Sequence, residues 1–128
     1  MWINKFSPDE LDRLLTGPLT SDETPVAGRL LREALTADGI TPGVRYFGGG
    51  CWVFTVPADG GGELWITDGM VRLGHPVERH TGWTVQHIPD PGAEDPEDGA
   101  ATVYAAPDDA PFADDTATCA EAVRTRAA

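Results

Sequence analysis

From Thr41 onward the apolar residues of this chain recur at every second position, in runs too short for helices. Residues 44–47, 51–56, 63–67, 70–74, 82–88 and 102–106 are rich in β-branched and aromatic side chains, and Gly, Pro and Asp separate them. Alternate side chains of a strand point to opposite faces, so each run can bury one face only by pairing with its neighbours. The spacing predicts an antiparallel meander of five or six strands.

Two joints decide the register. Asp68-Gly69 reads as a two-residue hairpin, which sets Trp65 opposite Arg72, Thr67 opposite Met70, Ile66 opposite Val71 and Leu64 opposite Leu73. Trp65 and Arg72 then share the outer face, where they can stack as a cation–π pair. The joint over 57–62 leaves two registers open, because a one-residue slip exchanges the faces. The register with Trp52, Phe54 and Val56 beside Leu64 and Ile66 is preferred, since a helix can cover them there.

Before Thr41 the apolar period is helical. Ser7 can cap a helix over 8–15, with Pro8 at its first position, Glu10 completing a capping box and Phe6 stapling to Leu11. A second helix takes Thr24 as its cap and Pro25 in its first turn. Val26/Ala27, Leu30/Leu31 and Ala34/Leu35 line one face, Arg29, Arg32 and Glu33 lie opposite, and Gly39 stops it. Asp114-Asp115 can start a last helix that runs to about Arg124, acids at its start and arginines at its end, as the helix dipole favours. The expected architecture is one α+β domain over residues 1–128: two N-terminal helices packed on the meander, plus a C-terminal helix.

Charge is unevenly spread. The net charge is −12; residues 1–79 carry 11 acids against 7 basic side chains, and residues 80–128 carry 10 acids against two arginines. Residues 89–100 form an acidic loop with three prolines and five acids among positions 89–99, too polar to pack and unsuited to a strand interior. Residues 108–128 are an acidic segment leading into the last helix. Direct nucleic-acid binding and anionic-membrane binding are not expected from such a surface. The first residues, MWINKFSPDE, lack the apolar stretch of a secretory signal, and no run approaches the roughly 18 apolar residues of a membrane span, so a cytoplasmic protein is expected. One lysine against eight arginines, with abundant Ala, Gly, Pro and Asp, is the usage of a GC-rich bacterial genome.

Several chemistries lack their residues. The only serines, Ser7 and Ser21, sit at helix starts, and the only lysine, Lys5, lies in the first segment, which disfavours a serine nucleophile, a P-loop or a Schiff base. Cys51 and Cys119 make no zinc-type spacing and read as reduced thiols. Gly48-Gly49-Gly50 opens a strand and not a helix, so it reads as a turn and not a phosphate cradle. The acids of 90–98 do not fall on a calcium-loop pattern. His75, His80 and His87 are the candidate metal or acid/base residues, with Asp68, Glu78 or Cys51 as conceivable partners. Their H-x4-H-x6-H spacing matches no helical pair and no Cys/His ribbon, so scaffold histidines are expected, with no metal and no cofactor.

Three functions remain open. The leading expectation is a non-catalytic binding module that meets a protein partner or a second copy through the outer sheet face at Trp65, Arg72 and Met70, residue types that concentrate at interfaces. An acidic mimic of nucleic acid and a small metal-dependent enzyme or ligand binder at the histidines are the alternatives.

Overall fold

The computed structural model describes residues 7–48 and 50–128. Helices α1 (Pro8–Thr16) and α2 (Ala27–Ala37) precede strands β1 (Gly43–Gly48), β2 (Cys51–Pro57), β3 (Glu63–Asp68), β4 (Trp83–Ile88) and β5 (Ala101–Ala105), and helix α3 (Phe112–Arg126) follows. The strands form one antiparallel sheet in the order β1-β2-β3-β4-β5. This is the α+β meander that the change of period predicts, with five strands.

Strand parity sorts the side chains. Trp52, Phe54 and Val56 pair into line with Leu64 and Ile66, then Trp83 and Val85, and that face packs against Leu11 and Leu15 of α1, Leu31 and Leu35 of α2, and Cys119 and Val123 of α3. The β2–β3 register is therefore the preferred one, Phe54 opposite Ile66 and Val56 opposite Leu64. On the opposite face Val53, Trp65 and Ile88 form a second, smaller cluster with Val71 and Ala100. The acidic loop folds back over this end, held where Arg45 Nη1 donates to the Pro91 carbonyl at 3.0 Å.

The Asp68-Gly69 hairpin does not form. β3 pairs with β4 instead, Asp68 opposite Trp83, Ile66 opposite Val85 and Leu64 opposite His87, and residues 69–82 loop out between them around a short 3-10 turn, Val77–Arg79. The cause is local. Asp68 is buried, and its Oδ1 accepts from the Met70 and Arg72 backbone amides at 3.0 and 3.1 Å, while Val71 takes a positive φ of 56°. The carboxylate curls the chain around itself, in competition with a ladder.

That loop also explains where α2 begins. The helix starts at Ala27, two residues beyond the expected start, and Thr24 makes no cap; Val26 is the N-cap, without a side-chain bond. The free amides of Ala27 and Gly28 donate to the carbonyls of His75 and Leu73 at 2.9 and 2.8 Å. Backbone from the loop fills the place of a capping side chain. At α1 the expected cap is present, Ser7 Oγ accepting from the Glu10 amide at 3.2 Å. The proposed Phe6 staple and Gly49 lie outside the described residues.

Candidate functional site

The loop over 69–82 brings its own buried Arg72 and His75 up to the buried Asp68 of β3 and Asp115 of α3. Asp68 Oδ2 accepts from Arg72 Nη2 at 2.8 Å, from Arg72 Nε at 3.2 Å and from Thr81 Oγ1 at 3.1 Å, and Arg72 Nη2 also donates to the Arg79 carbonyl. The two charged side chains are 0% and 9% exposed, so this ion pair is far from water on both sides. Burial alone would raise the Asp68 pKa. The bonds from Arg72 and the backbone, with its charged neighbours, outweigh burial and hold the carboxyl below its usual range.

From Asp68 the polar contacts continue inward. His75 Nε2 lies 3.3 Å from Asp68 Oδ2 and 2.8 Å from His80 Nδ1. His80 Nε2 then meets Asp115 Oδ2 of α3 at 2.7 Å. The same oxygen accepts from the Trp83 amide at 2.9 Å, and Asp115 Oδ1 accepts from the Tyr104 hydroxyl at 2.6 Å. Trp83 Nε1 donates to Thr116 Oγ1 at 3.0 Å. One carboxylate thus ties β4, β5 and α3 to the loop.

These contacts assign the protons. Asp115 takes the Nε2 proton of His80, which leaves a lone pair on His80 Nδ1 facing His75. His75 Nε2–H fills that gap. Its other nitrogen, Nδ1, is buried with no hydrogen-bond partner among the described residues, a vacancy far easier for a lone pair than for an N–H. Burial, followed by the neighbouring Arg72 charge, pushes His75 down to about 4 against the pull of Asp68. Phe112 and Trp83 pack on His80 at ring separations of 4.9 and 4.5 Å and exclude water from the pair.

The sequence-derived candidates separate. His75 and His80 converge with Asp68, one ligand atom of each lying within 4.8 Å of the other two. His87 stands apart, its Nε2 on the Gly61 carbonyl at 2.9 Å. Neither His75 nor His80 lies in a strand. Trp65 is 4% exposed and stands opposite Thr55 and Gln86, not Arg72; the cation over its ring is Arg45, 5.0 Å from the centroid. Arg72 turns into the core to Asp68, and Met70 alone of the three interface candidates is widely exposed, at 61%. Asp115, expected only as a helix-dipole acid, is the residue that sequence reasoning missed. The available signal was its phase, four and eight residues before Cys119 and Val123 on the buried face of α3.

A second candidate surface surrounds β1. This edge strand exposes Val44, Tyr46 and Phe47, each to about 45%, which with Met70 are the exposed large hydrophobics among the described residues. Val44 and Tyr46 border a cavity of about 270 Å³ against Leu11 and Leu15 of α1. On the other face Phe47, Cys51, Val53, Trp65 and Val71 line a cavity of about 380 Å³ with Glu97 among its lining residues. No protein-family model, no curated protein and no solved structure matches this chain.

Proposed function

We propose that the chain is a binding module that takes an extended segment of a partner protein along the β1 edge. The observation that carries this reading is the apolar edge itself: β1 pairs with β2 alone and exposes Val44, Tyr46 and Phe47 on both of its faces. Free edges invite strand addition, and proteins usually blunt them with lysine, proline or an inward charge. The charge on β1 belongs to Arg45, and it does not guard the edge, because its guanidinium lies over Trp65 and Phe47 and is bonded to Pro91. A segment added here would bond to the strand through its backbone, and its alternate side chains would reach the two cavities. On the outer face beside this edge, Phe47 and Trp65 line a groove, and no Trp65–Arg72 pair forms there.

The test is selection of binding peptides from a displayed library on the purified full chain, followed by affinity measurement on Tyr46→Lys and Phe47→Lys variants. Extended apolar peptides should emerge, shift the backbone NMR signals of β1, and bind each variant at least about thirtyfold more weakly, as loss of an aromatic hot spot worth about 2 kcal/mol requires. Peptides whose binding ignores both substitutions and leaves β1 unshifted would sink the reading.

A further inference from the structure

The polar loop gathers a cluster of convergent side chains that the β1 edge does not use. Asp68, Asp115 and Arg72 are all buried, so two carboxylates and one guanidinium share this region with His75 and His80. Three potential ligand atoms converge on one place: Asp68 Oδ2 and His80 Nδ1, and His75 Nε2 once its proton has moved to Nδ1.

We propose that Asp68, His75 and His80 bind a divalent zinc-class metal ion that ties the 69–82 loop to the end of β3. Tetrahedral zinc with bonds of about 2.0–2.1 Å keeps its ligand atoms about 3.3 Å apart. The Asp68–His75 separation is 3.3 Å, and the His75–His80 separation of 2.8 Å needs to open by only about half an ångström. A mixed imidazole and carboxylate set suits zinc over magnesium or calcium. The outer shell is built as well: Asp115 holds the far nitrogen of His80, the carboxylate-to-histidine support that orients metal ligands, and Arg72, Thr81 and two backbone amides orient Asp68.

Two features set the affinity. When His75 Nε2 takes the metal its proton moves to Nδ1, which has no acceptor among the described residues, and Arg72 repels a cation across Asp68. A defective outer shell weakens metal sites by about 10–100-fold, so binding weaker by that factor than at a fully supported site is expected. With the three side chains 0%, 0% and 5% exposed, the ion serves as a fastening for the loop and not as an open Lewis acid. The site does not depend on the β1 reading.

The experiment is titration of the chelator-treated full chain with cobalt(II) and then zinc(II), read by visible absorption and by the imidazole nitrogen NMR signals of the unmutated protein. Expected are saturation at one equivalent, intense tetrahedral cobalt bands bleached by zinc, and metal-induced shifts at His75 and His80 with His87 unmoved. His80→Gln should abolish the bands, and His87→Gln should leave them. Unshifted His75 and His80 nitrogens, or bands that survive His80→Gln, would overturn the proposal, and the NMR result stands even if that variant misfolds.

Discussion

Asp115 receives three donors on two oxygens, and its substitutions separate hydrogen bonding from charge. Asp115→Ala leaves the buried Trp83 amide without an acceptor and strands His80 and Tyr104, so a loss of about 3–5 kcal/mol is expected, three donors each losing an acceptor worth about 1–3 kcal/mol. Asp115→Asn can keep its carbonyl toward Trp83 and His80 while Tyr104 turns to accept from the new amide, and the expected loss is about 1–2 kcal/mol. Urea unfolding of the two variants checks the ratio; equal losses would mean that the charge and not the bonding holds the cluster. His75 makes the matching prediction in pH. Its ordinary value is 6.5 and folding lowers it to about 4, so between these limits the unfolded chain binds the proton and the folded chain does not. Stability therefore stays at its full value above that window and falls as pH drops through it, by on the order of 3 kcal/mol. Asp68, also lowered, adds to the loss at still lower pH. Denaturant midpoints should hold above about pH 6.5 and decline from there to about pH 4.5, and a flat profile would show that folding does not lower the His75 pKa.

Helix α2 begins against the loop and not against its own flanking residues, and Gly28 records how close that approach is. A Cβ at Gly28 would lie 2.4 Å from the Leu73 carbonyl oxygen and 3.0 Å from Leu15 Cδ2. That oxygen cannot retreat without giving up the Gly28 amide bond. Gly28→Ala should therefore destabilise by about 1–2 kcal/mol, overpacking winning against the helix propensity that alanine adds. Thr24→Ala should change stability by less than about 0.5 kcal/mol, whereas removing a working cap typically costs about 1 kcal/mol. Thermal unfolding of the pair decides whether the loop or Thr24 starts the helix. The contrast also marks what was legible beforehand. Elements whose signals are local could be read: the period-two strands, the Ser7 cap of α1 and the Gly39 stop of α2, whereas the β2–β3 register stays open between two choices in the sequence and one is preferred only because a helix can cover that face. The α2 start depends on carbonyls 45 or more positions away, and Asp68-Gly69 resembles a hairpin until its carboxylate is seen turning inward. The same inward turn removed Arg72 from the outer face. His75 and His80 could be named as candidates because they are histidines, but their convergence with Asp68 needed the loop.

Charge decides which partner the β1 edge can take. Every copy of the chain carries −12, and the exposed acids of the 89–100 loop lie near the groove, where Glu97 lines the cavity beside Phe47 and Trp65. Two copies meeting edge to edge would gain apolar burial at Val44, Tyr46 and Phe47 and meet repulsion between two acidic surfaces. A partner segment with basic residues flanking an apolar core gains on both counts, and steering by opposite charge also speeds its arrival. The two pairings respond oppositely to salt, because screening shortens the reach of charge to about 10 Å at 0.1 M and leaves apolar burial in place. Self-association should be absent at low ionic strength and grow as salt is added, whereas binding of a basic extended peptide should weaken over the same range. Sedimentation velocity on the chain alone and peptide titration across that range test both halves. A dimer that forms at low salt and dissociates when salt is added would require a charge-driven interface elsewhere on the molecule, and the edge would lose its role.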